Sequence, residues 1–133
     1  MNRIEHLGIA VPNLDEANEV FKKLLGEAHY KVETVEREGV STSFFKVGEN
    51  KIELLEAKNE DSAIHKFIEK KGGGIHHVAL AVDDIKSEMV RLKNEGFTLL
   101  SEEPLTGADN KLICFLHPKS TAGVLVELCQ DAP

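Results

Sequence analysis

The chain has 133 residues, 41% of them hydrophobic, and a formal net charge of −7. This length suits a single domain with one ordinary core. The acidic balance, without a cluster of lysines and arginines, argues against a nucleic-acid-binding surface. No apolar run approaches the ~20 residues that a membrane span needs, and the first residues lack the apolar core of a signal peptide. We therefore expect a cytoplasmic protein whose ligand is a small molecule or an ion.

The first half of the sequence reads as a βαβββ module at about residues 4–58. Residues 4–11 alternate with period 2, which predicts a strand with one bulky and one cleared face. The bulky face carries Leu7, Ile9 and Val11, and the cleared face carries His6, Gly8 and Ala10. An amphipathic helix capped by Asn13 or Asp15 follows and ends at Gly26. Three further strands are expected at about 28–36, 40–48 and 50–56.

A short linking helix is predicted at about residues 60–71, capped by Asp61 and ended by three glycines. A second module at about 74–130 then repeats the plan. Its first strand presents His77 with two alanines on the cleared face, and its helix runs from Asp84 to about Glu95. Strands are expected near 97–103, 111–117 and 123–130. We predict that the two modules form one α+β domain over residues 1–133.

The two modules are copies of each other. Placing His6 on His77 aligns residues 4–26 with 75–97 without a gap, at an offset of 71 (77 minus 6). The motif around Glu53 resembles the one around Glu127 at an offset of 74 (127 minus 53). Each copy therefore supplies one histidine and one glutamate, which predicts a four-ligand metal site with pseudo-two-fold symmetry.

The residue types fit this interpretation better than a structural role. A lone histidine on an apolar strand is more often a hydrogen-bonded core residue, and a single glutamate can sit on the exposed face of an amphipathic strand. Four such groups at repeat-equivalent positions favour metal, because buried carboxylates are costly unless paired or metal-bound. Two imidazoles and two carboxylates suit a divalent Co, Ni, Zn, Mn or Fe ion. Carboxylates on opposite sides of a substrate also suit proton removal and return, which is isomerase chemistry.

Other histidines and the cysteines are not assigned to the metal. We expect His29 and His65 to be exposed, and His76 to be either a packing residue or a neighbour behind the ligands. His117, Cys114 and Cys129 are likewise not assigned to the metal. The cysteines lack CxxC spacing and are expected to be buried thiols.

Paired βαβββ modules with a histidine near the first strand and a glutamate near the last resemble the vicinal oxygen chelate superfamily. The resemblance covers nearly the whole chain and implies a curved mixed sheet around a metal site. Four segments resemble the methylmalonyl-CoA epimerase family more specifically: Gly73–Val78, Ser101–Pro104, Leu116–Ser120 and Gly123–Leu128. This resemblance implies an isomerase that interconverts the (R) and (S) forms of methylmalonyl-CoA through a metal-stabilised enolate. The family's ligands fall on His6, His77 and Glu127, and its fourth ligand, a glutamine in some members, falls on Glu53.

The sequence departs from the family pattern at Thr42, where some epimerases carry a glutamate that acts as one of two bases. We expect Glu127 and Glu53 to act as the proton-transfer groups, unless a water or another group supplies the second base. An acyl-CoA substrate would also need cations for its phosphates, for which Lys70, Lys71, Lys111 and Lys119 are available. Family resemblance further suggests a homodimer.

Three alternatives share the superfamily pattern. A glyoxalase I-like lactoylglutathione lyase uses the same ligand set, but the His117–Ser120 segment favours the epimerase. Extradiol dioxygenases use two histidines and one glutamate around iron, so the fourth group at Glu53 argues against them. A non-catalytic drug-binding relative needs an aromatic-lined groove, and this chain has no Trp, one Tyr and six Phe.

Overall fold

The computed structural model describes all 133 residues, which form three α-helices and eight β-strands. The chain divides into two compact units. One comprises residues 6–76, and the other comprises residues 77–133 together with residues 1–5. None of the three helices is long and apolar enough to cross a membrane.

The unit of residues 6–76 has the predicted βαβββ order followed by the linking helix. Its elements are β1 (Arg3–Ala10, from His6 onward), α1 (Leu14–Leu25), β2 (Lys31–Val35), β3 (Val40–Val47), β4 (Asn50–Ala57) and α2 (Ala63–Lys71). The strand order is β2-β3-β4-β1. Strand β1 runs parallel to β4, whereas the other neighbours are antiparallel.

The second unit repeats this order. Its elements are β5 (Gly74–Ala81, from His77 onward), α3 (Ile85–Asn94), β6 (Leu105–Gly107), β7 (Lys111–Leu116) and β8 (Val126–Asp131). The strand order is β5-β8-β7-β6, with β5 parallel to β8. Residues 1–5 join this unit: Asn2 N–H donates to Ala81 O at 2.8 Å, and Asn2 Nδ2 donates to Asp83 Oδ1 at 2.7 Å.

Helices α1 and α3 cover the bulky faces of the strands, whereas α2 covers the Ala10 end of the cleared face. In the first unit, the core beneath α1 contains Val11, Leu14, Phe45 and Leu54. In the second unit, the core beneath α3 contains Val82, Ile85, Met89, Leu92, Cys114, Leu116 and Leu128. Helix α2 packs through Ile64 against Ala10, Val40 and Leu55. This packing leaves the histidine-bearing parts of the cleared faces without a covering helix in their own unit.

The helix starts differ partly from the prediction. Asn13 caps α1, because its Oδ1 accepts a hydrogen bond from Glu16 N–H at 3.0 Å. For α2 the predicted cap, Asp61, is wrong, and Ser62 caps the helix instead. Asn59 Oδ1 accepts from Asp61 N–H at 3.1 Å, so residues 59–61 form a turn and the helix begins later than expected.

The strand predicted near residues 97–103 is also wrong. Only an isolated bridge between Leu99 and Leu116 forms there, and the regular strand β6 lies further along the chain. Ser101 Oγ donates a hydrogen bond to Glu103 O at 2.8 Å, which closes a local turn. The proline that follows has no N–H to offer a strand ladder. The apolar alternation at 97–100 therefore stops before a strand is established.

Candidate active site

In the unit of residues 6–76, His6 and Glu53 form a buried pair. Gly8 on β1 lies directly opposite Glu53 on the parallel strand β4, and His6 precedes Gly8 by two residues on the same face. His6 Nδ1 lies 3.1 Å from Glu53 Oε2. The two residues are 4% and 6% exposed, so the pair is almost fully removed from solvent.

In the other unit, His77 and Glu127 form an equivalent pair. Ala79 on β5 lies opposite Glu127 on β8, which repeats the register of the first unit. His77 Nε2 lies 3.2 Å from Glu127 Oε1. Both residues are buried. The structure therefore places each histidine beside the glutamate of its own copy.

Each glutamate also has a phenylalanine on the neighbouring antiparallel strand. Phe44 on β3 lies opposite Glu53, and Phe115 on β7 lies opposite Glu127. The ring of Phe115 packs edge-on against His77, with 5.6 Å between ring centroids. These apolar rings lower the local dielectric, which strengthens electrostatic interactions at the pairs. Sequence reasoning missed both residues, although the same offset of 71 (115 minus 44) relates them.

The donor atoms fit a divalent ion. Imidazole nitrogen and carboxylate oxygen are the ligands that Zn, Co, Ni and Mn take in proteins. Buried carboxylates are costly unless they are paired or metal-bound, and both site glutamates are buried beside an imidazole. The structure brings together His6 with Glu53 and His77 with Glu127. That all four serve one ion stays a prediction of the sequence symmetry.

A second repeated contact fixes the strands that carry the glutamates. Glu56 Oε2 accepts a hydrogen bond from Leu14 N–H, the first residue of α1, at 2.8 Å. Gln130 Oε1 accepts one from Ile85 N–H, the first residue of α3, at 2.7 Å. Each acceptor lies three residues beyond the site glutamate of its module. These contacts hold the last strand of each module against the start of its helix, where backbone N–H groups lack intrahelical partners.

Two carboxyl groups with shifted pKa values lie at α3. Hydrogen bonds from Ser87 hold the pKa of Asp84, the N-cap residue, below its ordinary value. A hydrogen bond from Arg91, reinforced by its charge, likewise lowers the pKa of Glu88. Both carboxyl groups are near the surface, so these shifts describe the helix rather than the buried pairs.

The remaining histidines and the cysteines have structural surroundings. His76 packs edge-on against Phe67 with 5.0 Å between centroids, which supports the packing alternative. The expectation that His29 and His65 are exposed is wrong, because both are half-buried. The ring of His29 reaches the Phe45 side chain at 5.7 Å, which explains its burial. The two cysteines, Cys114 and Cys129, are buried thiols as predicted.

Of the lysines proposed for phosphate contacts, Lys111 forms an ion pair with Asp131. Lys70, Lys71 and Lys119 are exposed. His117 shapes the turn that carries Lys119, because His117 Nδ1 accepts a hydrogen bond from Lys119 N–H at 3.0 Å. The phosphate contacts themselves stay predictions.

Comparison with known proteins identifies the family. A model of the Glyoxalase/Bleomycin resistance protein/Dioxygenase superfamily matches residues 5–115. The ethylmalonyl-CoA/methylmalonyl-CoA epimerase of Cereibacter sphaeroides is 41% identical over 132 residues, covering 98% of each chain. Human mitochondrial methylmalonyl-CoA epimerase is 41% identical over 131 residues, covering 98% of this chain and 74% of the human one.

Solved structures agree with this assignment. A Streptomyces coelicolor methylmalonyl-CoA epimerase variant in complex with 2-nitronate-propionyl-CoA superposes with a TM-score of 0.96 at 34% identity. The match covers 100% of this chain and 99% of the Streptomyces chain. This chain therefore belongs to the Glyoxalase/Bleomycin resistance protein/Dioxygenase superfamily.

Proposed function

We propose that this chain is a methylmalonyl-CoA epimerase, an isomerase of the racemase and epimerase class. The single observation that carries the proposal is the repeated buried pair, His6–Glu53 and His77–Glu127, with the same register in both modules. This pair occurs in a chain that is 41% identical to an ethylmalonyl-CoA/methylmalonyl-CoA epimerase along nearly its full length. The substrate class is accordingly an acyl-CoA thioester.

His6, Glu53, His77 and Glu127 would hold the divalent ion, with Co, Zn, Ni and Mn as the candidates. Such an ion supplies Lewis acidity, which stabilises the negative charge that develops on a thioester oxygen as the α-proton leaves. The residues around the ligands keep the site dry. Phe44 is fully buried next to Glu53, so bulk water is kept from that part of the cleared face.

Glu53 and Glu127 are the first candidates for proton transfer. A carboxylate within hydrogen-bonding reach of the α-carbon accepts the proton, and a group on the opposite face returns one, which inverts the centre. General acid–base catalysis of this kind contributes about 10²- to 10⁴-fold to the rate. A carboxylate that also binds an ion is a weaker base, so this assignment requires ligand exchange during turnover.

The alternatives are less well supported. The named relatives described above are epimerases of acyl-CoA thioesters, which does not favour a lactoylglutathione lyase or a drug-binding protein. The location in the cytoplasm and the homodimer stay predictions. Light scattering coupled to gel filtration would determine the assembly, where a mass near twice the 14.7 kDa of one chain would support the dimer.

The decisive experiment measures deuterium incorporation at the α-carbon of methylmalonyl-CoA in D₂O by mass spectrometry. We expect exchange with Co²⁺-loaded protein and its loss after chelation. His6→Ala and His77→Ala should each lower both the exchange rate and the bound metal. His65→Ala is the matched control, because His65 is half-buried on α2 and should change neither. Absence of exchange from protein that demonstrably contains metal would refute the epimerase assignment.

Bound metal, measured by elemental mass spectrometry, separately tests the four-ligand site. One ion per chain, lost in either His6→Ala or His77→Ala, supports a single site with ligands from both modules. Two ions per chain, each sensitive to only one of the two substitutions, would show that each pair binds its own ion.

A further inference from the structure

A second carboxylate shares the face of the sheet that carries Glu53. Glu33 on β2 lies directly opposite Thr42 on β3, and Thr42 is two residues from Phe44 on the same strand. Phe44 in turn lies opposite Glu53. Because directly opposed residues and residues two apart share a face, Glu33 projects from the same face as Glu53. Among the strand residues of the unit 6–76, these are the two carboxylates on that face.

The Glu33–Thr42 pair breaks the symmetry of the repeat. The offset of 71 places Thr42 on Ile113 (113 minus 42), and Ile113 lies opposite Leu105 on β6. The modules agree at their histidine, glutamate and phenylalanine positions, yet one has a polar pair where the other has an apolar one. Thr42 is only 2% exposed, so an apolar residue would suit its surroundings. The polar pair is therefore particular to the first module.

Lys31 directs the Glu33 carboxylate towards the site. Lys31 Nζ lies 3.5 Å from Glu33 Oε1 and 4.7 Å from the centroid of the Phe44 ring. The ion pair therefore draws the carboxylate along the strand towards the row that contains Phe44 and Glu53. An ion pair at this exposure contributes little stability, so its main effect is orientation.

The two carboxylates lie two strands apart on this face. Strands β2 and β4 are separated by β3, and two strand spacings amount to roughly 9.5 Å between backbones. Thr42 and Phe44, which are 2% and 0% exposed, lie between them on β3. The Glu33 side chain is 35% exposed, so a molecule arriving from solvent can reach it.

We propose that Glu33 is a proton-transfer residue of the epimerase, an inference that rests on the proposed function. The Glu33 carboxylate accepts the α-proton of one stereoisomer: the C–H bond breaks, an O–H bond forms, and the electron pair moves into the thioester. A second group then donates a proton to the opposite face, where the electron pair returns to form the new C–H bond. Glu33 releases its proton to solvent, and the second group takes one up from solvent. In the reverse direction Glu33 is the donor. With Glu33 as the base, Glu53 can remain a ligand of the metal ion throughout turnover.

The test compares Glu33→Gln with wild type, using (2R)- and (2S)-methylmalonyl-CoA separately in D₂O. Glu36→Gln is the control, because it removes the same charge at an exposed position beyond β2. We expect epimerisation to fall about 10²- to 10⁴-fold in Glu33→Gln. Deuterium exchange should be lost from one stereoisomer and retained in the other, because only one face loses its base. Glu33→Asp should show an intermediate loss, and adding Thr42→Glu to Glu33→Gln should recover part of the activity.

The outcomes separate this inference from the proposed function. If wild type exchanges both stereoisomers and Glu33→Gln matches Glu36→Gln, the role of Glu33 is refuted and the epimerase assignment stands. An equal loss for both stereoisomers also refutes it, because impaired folding or binding would affect both alike. Absence of exchange from both stereoisomers in metal-loaded wild type refutes the epimerase assignment, and the role of Glu33 falls with it.

Discussion

Replacing Glu56 by alanine should destabilise the protein more than replacing its counterpart, Gln130. Both side chains accept a hydrogen bond from the first residue of a helix, at 2.8 and 2.7 Å respectively. The donors, Leu14 and Ile85, are buried residues, and both hydrogen bonds are partly buried. Glu56 is a charged acceptor at the positive end of the α1 dipole, whereas Gln130 is a neutral amide. The repeat thus contains its own comparison between a charged and a neutral acceptor.

The expected magnitudes follow from this difference. A hydrogen bond to a charged group contributes about 1.5–3 kcal/mol, and a neutral one about 0.5–1.5 kcal/mol. The Glu56 contact is only partly buried, so we expect a loss of about 2 kcal/mol for Glu56→Ala. Gln130→Ala should cost about 1 kcal/mol. Gln130→Glu should cost nothing, because a carboxylate is favoured at a helix N-terminus.

Urea unfolding followed by circular dichroism measures these free energies of unfolding, compared at a common slope. The excess loss in Glu56→Ala should shrink at high salt, because the charge–dipole interaction is screened. A loss below about 0.5 kcal/mol for Glu56→Ala would refute the argument, because the contact would then be worth less than a neutral hydrogen bond. Equal losses for the two alanine variants would refute the contribution of charge.

Three further substitutions test other parts of the structure. Ser43 Oγ is buried without a hydrogen-bond partner, so Ser43→Ala should raise the free energy of unfolding by about 1 kcal/mol in urea titrations. Asp84→Asn should keep the cap of α3 but remove its charge. Because folding lowers the pKa of Asp84 from 3.8, its contribution is full above that value and is lost as pH falls through the folded pKa. Wild type should therefore lose thermal stability relative to Asp84→Asn below about pH 4, and equal acid sensitivity would refute this. Gly39 has a φ of +62°, and an added Cβ would lie 2.6 Å from Asn59 Nδ2, so Gly39→Ala should cost more than about 1 kcal/mol in the same titrations.

The repeated βαβββ plan was predictable because the signals that specify it are local. Alternating apolar residues predicted β1 and β5, and the gapless offset predicted that the second copy repeats the first. The family assignment rested on the same residues, and comparison with known proteins confirms it. The His6–Glu53 contact was not predicted, but its repetition as His77–Glu127 follows from the repeat, since the parallel strand pair has the same register in both modules.

What the sequence did not reveal depends on strand register and on short-range side-chain hydrogen bonds. Glu33 lies opposite Thr42 because of the register between the antiparallel strands β2 and β3. Turn geometry and packing together determine that register. The side chain of Asn59 shifted the start of α2 by bonding to Asp61, a competition that helix periodicity does not register. The segment at 97–103 had the apolar pattern of a strand, but its turn and proline prevented a ladder.

The assignment of residues 1–5 to the later half of the chain has a consequence for synthesis. The side-chain hydrogen bond from Asn2 to Asp83 joins residues 81 positions apart. At translation rates of about 5–20 residues per second, the first residues wait roughly 4–16 s before this partner is made. Throughout that interval the start of β1 is an unsatisfied edge on the nascent chain, open to pairing with other strands. Slow translation over residues 6–83 would lengthen this exposure. It would favour aggregation before residues 1–5 can bond to the second module.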